Sequence, residues 1–263
     1  MSRPIRVHFL PSYVEPRELA DGLAVVIDVL RATTTIGYAL SAGADRVIPC
    51  GEIDEARRIA AGLPAGSALL GGERMGLRIE GFDLGNTPTE YTADVVGGRT
   101  VVFTTTNGTR ALLRAQEARR VVTASFANLN AVVGWLANET GPIHILCAGT
   151  DGRVTLEDVL CAGTIVRGLI AADPSHDETC DDAGLLALSL SENQGRDYDS
   201  VLQILRGSLG GRNLIENGLD ADIETAALWD VSPLVPELSR TPWQIRPAAD
   251  ARPTSDRFVE PAG

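Results

Sequence analysis

Apolar runs and polar breaks alternate regularly along the first two thirds of the chain. Short, partly β-branched runs lie at 7–10, 24–30, 46–50, 68–70, 99–103, 120–123 and 143–146. Segments with apolar positions at helical spacing follow at 34–42, 53–61, 109–118, 129–138 and 156–171. Unbroken apolar runs of this length suit strands covered on both faces, and their alternation with amphipathic helices predicts an α/β fold. The expected architecture has three layers, a sheet between helices joined by right-handed crossovers. From about residue 180 the pattern turns helical, at 182–190, 200–209 and 220–228, and predicts a helical closing segment. Pro233, Pro236, Pro242, Pro247 and Pro253 then interrupt regular structure, so residues 246–263 are expected to form a loose tail. Residues 1–245 read as one catalytic unit, built from two interlocked α/β subdomains that divide near residue 120.

Composition narrows the function classes. A length of 263 residues and 44% hydrophobic content suit one large globular unit rather than a disordered chain. No apolar run reaches the roughly 18–20 residues of a membrane-spanning helix, so no membrane partner is expected. The N-terminus, Met1-Ser-Arg-Pro-Ile-Arg-Val-His8, runs into a strand-like segment rather than a leader. Cys50, Cys147, Cys161 and Cys180 lack metal-ligand spacing and read as reduced thiols of a cytoplasmic protein. A net charge of −12 argues against nucleic acid as a partner. It leaves room for a small anionic phosphate ester, because a local arginine pocket or a metal overrides the global field. All 23 basic residues are arginine, which removes Schiff-base chemistry and a phosphate-loop lysine.

Four segments share one design, in which an apolar run ends and small or hydroxylated residues precede charged ones. They are Asp28-Val-Leu-Arg31-Ala-Thr33-Thr34-Thr35, Gly71-Gly-Glu73-Arg74-Met-Gly76 continuing to Gly81-Phe-Asp83-Leu-Gly85-Asn86-Thr87-Pro88, Thr104-Thr-Thr106-Asn107-Gly108-Thr109-Arg110, and Cys147-Ala-Gly149-Thr150-Asp-Gly152-Arg153 with Glu157-Asp158. Each also reads as helix capping: Thr33 and Asn107 as caps, Thr87-Pro88 as a cap with proline at the first helical position, and Thr155 to Asp158 as a capping box. Asp28 differs, because a carboxylate at the end of an apolar strand is costly unless paired, hydrogen-bonded or metal-bound. In α/β sheets, strand ends of this kind gather at one site. Convergence would bring Arg31, Arg74, Arg110 and Arg153 beside Asp28, Glu73, Asp83 and Asp158. Forked guanidinium groups hold phosphate, sulfonate and carboxylate, and carboxylates among them suit Mg2+.

These strings, in this order, with Ser125-Phe-Ala-Asn128 and Gly218-Leu-Asp-Ala-Asp222-Ile, resemble the 2-phosphosulfolactate phosphatase family over about residues 5–240. The resemblance implies Mg2+-dependent hydrolysis of (2R)-2-phospho-3-sulfolactate to 3-sulfolactate and phosphate, a step toward coenzyme M. It also implies two α/β subdomains and a homodimer. Thr87 stands where serine is commoner. The expected catalytic set is Asp28, Arg31, Glu73, Arg74, Asp83, Asn107, Arg110, Arg153 and Asp158, with Asp28, Glu73 and Asp158 holding the metal. Substrate contacts are expected from Thr33, Thr34, Asn86, Thr106, Gly108, Thr109, Asn128, Gly149, Thr150 and Gly152. A similar pocket would serve other phosphate esters of 2-hydroxy acids, or a non-catalytic receptor for organic anions, although such a receptor gains nothing from carboxylates.

Three nucleophiles fit the residues. Water could attack a metal-polarised phosphoryl group, or Asp28 could form an acyl phosphate. The second resembles haloacid-dehalogenase-type phosphatases, but Leu30 occupies the place of their second aspartate. Cys147 to Arg153 matches C-x5-R, the spacing of cysteine-dependent phosphatases. Against the thiolate, Asp151 lies inside that loop and Glu157 and Asp158 follow it, so metal assistance is the preferred reading. His144 reads as a core residue, as do Cys50 and Cys161.

Overall fold

The computed structural model describes residues 3–251. Its strands are β1 (Ile5–His8), β2 (Leu23–Ile27), β3 (Arg46–Pro49), β4 (Ala68–Arg74), β5 (Leu77–Arg78), β6 (Thr100–Thr104), β7 (Arg120–Ala124), β8 (Ile143–Cys147), β9 (Pro236–Arg240) and β10 (Trp243–Pro247). Its helices are α1 (Ala32–Ser41), α2 (Ile53–Ala61), α3 (Ala93–Val96), α4 (Gly108–Ala115), α5 (Leu129–Asn138), α6 (Leu156–Ala172), α7 (Asp182–Gln194), α8 (Tyr198–Gly207), α9 (Leu209–Glu216) and α10 (Asp220–Ala226). The fold is mixed α/β, with the strands in one sheet of order β1-β8-β2-β7-β9-β10-β3-β6-β4-β5.

Two parallel blocks make up the sheet. One holds β1, β8, β2 and β7, the other β3, β6 and β4. The antiparallel hairpin β9–β10 joins them, pairing with β7 on one side and β3 on the other. Side-chain alternation along β2 shows how the layers stack. Leu23, Val25 and Ile27 enter a core with residues of α5, α6, α8 and α10. Ala24 and Val26 face the opposite way, into a core with α1, α4 and residues of β3 and β6. A smaller core beneath α2 covers the far side of the second block. Helices α1 and α4 therefore lie against both blocks, and the sheet curves around them.

The chain does not divide at residue 120, because β1 and β2 pair with β8 and β7 across that position. Nor is the start of the expected tail loose. Residues Arg246 and Pro247 end β10, and Asp250 accepts from Arg120 Nη1 at 2.7 Å; the remainder, 252–263, lies outside the described residues. Of the prolines that predict disruption, Pro236 opens β9 and Pro247 ends β10, where they oppose each other and a missing N–H costs the sheet little.

Through the hairpin the two blocks run in opposite directions. Six strand-to-strand steps separate β2 from β4. At roughly 20–25° per step the sheet twist turns one strand by about 120–150° relative to the other, which lets their carboxyl ends reach one rim. Among the described residues no helix is long and apolar enough to cross a membrane.

Candidate active site

A cavity of about 410 Å3 opens where the carboxyl ends of β2, β4, β6 and β8 meet, within the usual range for small-molecule sites. Its walls include Asp28, Leu30 and Arg31 after β2, Glu73 to Gly76 at the end of β4, Thr106 and Asn107 after β6, and Thr150 and Asp151 after β8. Asn86 completes this side, and Gly210, Asn213, Leu214, Glu216 and Asn217 close the other from α9 and the residue after it. All four sequence segments thus reach one cavity.

Asp28 is held by the chain that follows it. Its N–H donates to Thr33 Oγ1 at 3.0 Å, the Thr33 hydroxyl donates to the Asp28 carbonyl at 2.9 Å, and Ala32 N–H donates to Oδ1 at 3.2 Å. Thr33 is therefore buried behind Asp28, and Thr34 donates to the Val29 carbonyl. Oδ2 of Asp28 lies against Gly108, where a Cβ would stand 2.7 Å from it and 2.5 Å from Ala32 Cβ. Only glycine admits this approach of α4 to the carboxylate.

Glu73 ties two loops together. Oε1 accepts from Thr106 N–H at 2.7 Å and Oε2 from Gly76 N–H at 2.8 Å. Arg31 donates through Nη1 to Asp222 Oδ2 at 2.5 Å and to Thr87 Oγ1 at 3.3 Å, and through Nη2 to the Gly76 carbonyl at 2.6 Å. Arg74 donates to the Glu73 and Gly51 carbonyls and to Thr104 Oγ1. Asn107 Oδ1 accepts from Asp151 N–H, linking the loops after β6 and β8. Two lining oxygens, Asn86 Oδ1 and Thr106 Oγ1, are buried with no hydrogen-bond partner. Acceptors of this kind, left bare in a polar cavity, await a ligand, a water or a cation.

Several expected site residues are elsewhere. Asp83 is exposed, and its Oδ2 accepts from Leu70 N–H on β4. Arg110 and Arg153 are exposed and outside the lining, as is Gly152. Asn128 is buried and structural: it accepts from Ser125 N–H and donates to the Thr123 and Leu234 carbonyls. Thr109 is buried and exchanges hydrogen bonds with Thr105. The Gly149 N–H donates to Asp158 Oδ2 at 2.9 Å rather than into the cavity.

Asp158 changes most. Its other oxygen accepts from Val29 N–H at 2.9 Å, so the carboxylate spans the ends of β2 and β8 and is outside the cavity lining. The expected metal trio of Asp28, Glu73 and Asp158 is not formed; among the described residues no three His, Cys, Asp or Glu side chains are grouped as a ligand set. Cys147 ends β8 with its side chain wholly buried in the core around β2. Burial, then the charge of Asp158, pushes that thiol well above its usual range. With Arg153 turned to solvent, no thiolate phosphate loop exists here.

The sequence of the 2-phosphosulpholactate phosphatase family matches residues 8–241. This chain belongs to that family. Proteins named probable 2-phosphosulfolactate phosphatase resemble it closely. One from Symbiobacterium thermophilum is 46% identical over 207 residues, 78% of this chain and 86% of that protein. Another from Deinococcus radiodurans is 42% identical over 236 residues, 89% of this chain and 92% of that protein.

The site of this family member is rich in acid. Among the described residues, Asp28, Glu73, Asp151 and Glu216 line it against the guanidinium groups of Arg31 and Arg74 alone. Burial, then repulsion from Asp158, raises Asp28 to about 8. Burial followed by Glu157 raises Asp158 to about 7, and burial raises Glu157 to about 7. Glu157 lies behind the wall: a Cβ on Gly210 would stand 2.3 Å from its Oε1, and Oε2 has no partner.

Sequence reasoning passed over Glu157 and Asp222 as site residues, although both fall within the strings that carry the resemblance. The α9 wall left little trace, since Asn213 and Asn217 are unremarkable in sequence. Their only signal is the i, i+4 spacing, which puts them on one helix face.

Proposed function

We propose that the chain is a metal-assisted phosphatase that hydrolyses 2-phospho-3-sulfolactate to 3-sulfolactate and phosphate. What carries the reading is the acid-rich lining beside Arg31 and Arg74 in a member of this family. Four acidic side chains against two guanidinium groups, crowded enough that Asp28 is raised to about 8 by burial and then by Asp158, could not all ionise beside a polyanionic ester, so the cavity calls for a cation. Asp28 and Glu73, with the unpartnered Asn86 Oδ1, supply hard oxygen donors that fit Mg2+, which prefers one or two carboxylates and shares the phosphate oxygens. Bound there, Mg2+ would offset charge on the phosphoryl oxygens.

The chain's own groups do the rest. Arg31 keeps Nε–H and one Nη2–H without a protein partner, and these are suited to charge developing on the phosphoryl group. Asp28 Oδ2 is the carboxylate oxygen left over once Ala32 occupies Oδ1. It takes the proton of a water attacking phosphorus and passes it to the sulfolactate oxygen as the ester P–O bond breaks. Alternatively it attacks phosphorus itself, displacing that oxygen, and water then hydrolyses the acyl phosphate to free the carboxylate and phosphate. Asn213 and Asn217 offer neutral carboxamides to the end of the substrate away from the phosphate, which carries sulfonate and carboxylate. We extend the proposal to a homodimer in the cytoplasm working toward coenzyme M; four free cysteines accord with a reducing compartment.

The test is release of inorganic phosphate from phosphosulfolactate, phospholactate and phosphoglycerate, with Mg2+ and with a chelator. Preferential, chelator-sensitive turnover of phosphosulfolactate is expected. Equal rates on all three would remove the sulfonate specificity, and no release from any would remove the phosphatase. Light scattering tests the homodimer.

A further inference from the structure

We infer that Asp222, on α10, is the positioning residue for Arg31, and that the helical closing segment thereby sets the geometry of the phosphate-binding wall. The inference rests on the phosphatase reading above, since it takes Arg31 as a substrate-contacting group. One carboxylate oxygen, Asp222 Oδ2, accepts from both Arg31 Nη1 at 2.5 Å and Thr87 Oγ1 at 2.9 Å. Both members of the ion pair are 3% exposed, so the charges meet out of water. A buried pair is weak support for stability and well suited to fixing one geometry.

The restraint extends past the pair. Arg31 Nη2 holds the Gly76 carbonyl, the Gly76 N–H is held by Glu73 Oε2, and Glu73 Oε1 holds Thr106 N–H. A relay of hydrogen bonds thus runs from α10 through the loop after β2 to the loops after β4 and β6. Asp222 is absent from the cavity lining, whereas Arg31, Glu73, Gly76 and Thr106 are in it. Three of the five guanidinium N–H donors are consumed by Asp222, Thr87 and Gly76, which fixes the plane of the fork. The remaining two, on Nε and Nη2, then keep fixed directions within that plane.

The experiment is a double-mutant cycle between Asp222→Asn and Arg31→Lys. It reads kcat and KM on phosphosulfolactate and, separately, binding of inorganic phosphate by calorimetry in the same Mg2+ buffer. D222N is near-isosteric and removes the charge that orients the fork. It is expected to lower kcat/KM on the order of 10- to 100-fold and to weaken phosphate binding. In the Arg31→Lys background the same change is expected to cost less than about 3-fold, because the group it positions is gone. A merely structural residue would lower the melting temperature while leaving kcat and KM of the folded protein alone. Losses that multiply in the double variant, or a D222N enzyme with unchanged constants, would overturn the inference. If D222N does not fold, Thr87→Val removes one of the two groups on Asp222 Oδ2. It should lower kcat/KM in the parent and have no effect beside Arg31→Lys; any other pattern overturns the inference. Failure of the parent to turn over phosphosulfolactate would sink the substrate reading instead, and the phosphate-binding cycle would still report on Asp222.

Discussion

Asp158→Asn separates a structural carboxylate from a metal ligand. Asp158 is buried, and its two oxygens accept from Val29 N–H and Gly149 N–H, each at 2.9 Å. Asparagine keeps one acceptor and turns an NH2 group toward the other amide. Losing a charge-assisted hydrogen bond and stranding a buried N–H costs about 2–4 kcal/mol. Removing a charge disfavoured first by burial and then by Glu157 and Asp28 returns on the order of 1 kcal/mol. The net loss of about 1–3 kcal/mol should lower the melting temperature by roughly 2–12 °C for a chain of this size. Thermal melts in chelator, with Mg2+ binding followed by calorimetry, provide the assay. The expected result is a lowered melting temperature with Mg2+ affinity within about 3-fold of the parent. An unchanged melting temperature with Mg2+ binding lost would refute the reasoning and return Asp158 to the metal.

Three further outcomes are expected. Asp28→Asn should abolish nearly all phosphate release, whereas Cys147→Ser should keep most of it and lose about 1–3 kcal/mol of stability to a buried hydroxyl; the opposite pattern in metal-free buffer would restore the thiolate. Gly108→Ala should cost about 1–3 kcal/mol and disable the enzyme, because its Cβ would meet Ala32 and Asp28 Oδ2 at 2.5 and 2.7 Å; a crystal structure with Asp28 unmoved and normal turnover would contradict this. The pH dependence has a defined sign. Asp28, Glu157 and Asp158 are raised to about 8, 7 and 7 in the folded chain, so between pH 6.5 and 8.5 it holds protons the unfolded chain has lost. Stability in chelator should therefore fall as pH rises through that window, and Mg2+ should flatten the fall. His144, lowered to about 4 mainly by burial, acts oppositely but only below its unfolded value. Urea denaturation at fixed pH steps reads both, and stability rising from pH 6.5 to 8.5 without metal would contradict the assignment.

The central strands were legible because β2 and β8 are covered on both faces and, His144 apart, are apolar. The four junctions were legible for a related reason: a chain leaving such a strand needs small or hydroxylated residues to satisfy its last backbone groups, as Thr33 does for Asp28. Which way each side chain points was not. Asp83 and Glu73 belong to one motif, yet one serves the β4 edge and the other the cavity. Arg31 and Arg110 both follow a strand whose carboxyl end reaches the cavity, yet Arg31 precedes α1 and turns inward, whereas Arg110 lies in the first turn of α4 and is exposed. Loop side chains have no fixed period, and their direction depends on partners distant in sequence. Asp222, 191 residues from Arg31, is such a partner. The β9–β10 hairpin was hidden likewise, since its pairing with β7 and β3 is non-local and its prolines mimic a break.

The absence of lysine gains a structural meaning from Arg31. Its guanidinium meets a carboxylate, a hydroxyl and a carbonyl at once, 2.5, 3.3 and 2.6 Å away, with two N–H donors still unused. A planar fork serves that many partners without reorienting, whereas an ammonium has three donors and a charge that water competes for strongly. The acid-rich lining makes the same demand from the other side. Where Asp28 and Glu73 stand beside Arg31 and Arg74, the only guanidinium groups of the wall among the described residues, a mobile ammonium side chain would be drawn onto the carboxylates and away from the substrate. Arg31 is fastened to Asp222, and Arg74 to the Glu73 and Gly51 carbonyls, so both guanidinium groups are held by partners other than the Asp28 and Glu73 carboxylates that a metal would occupy.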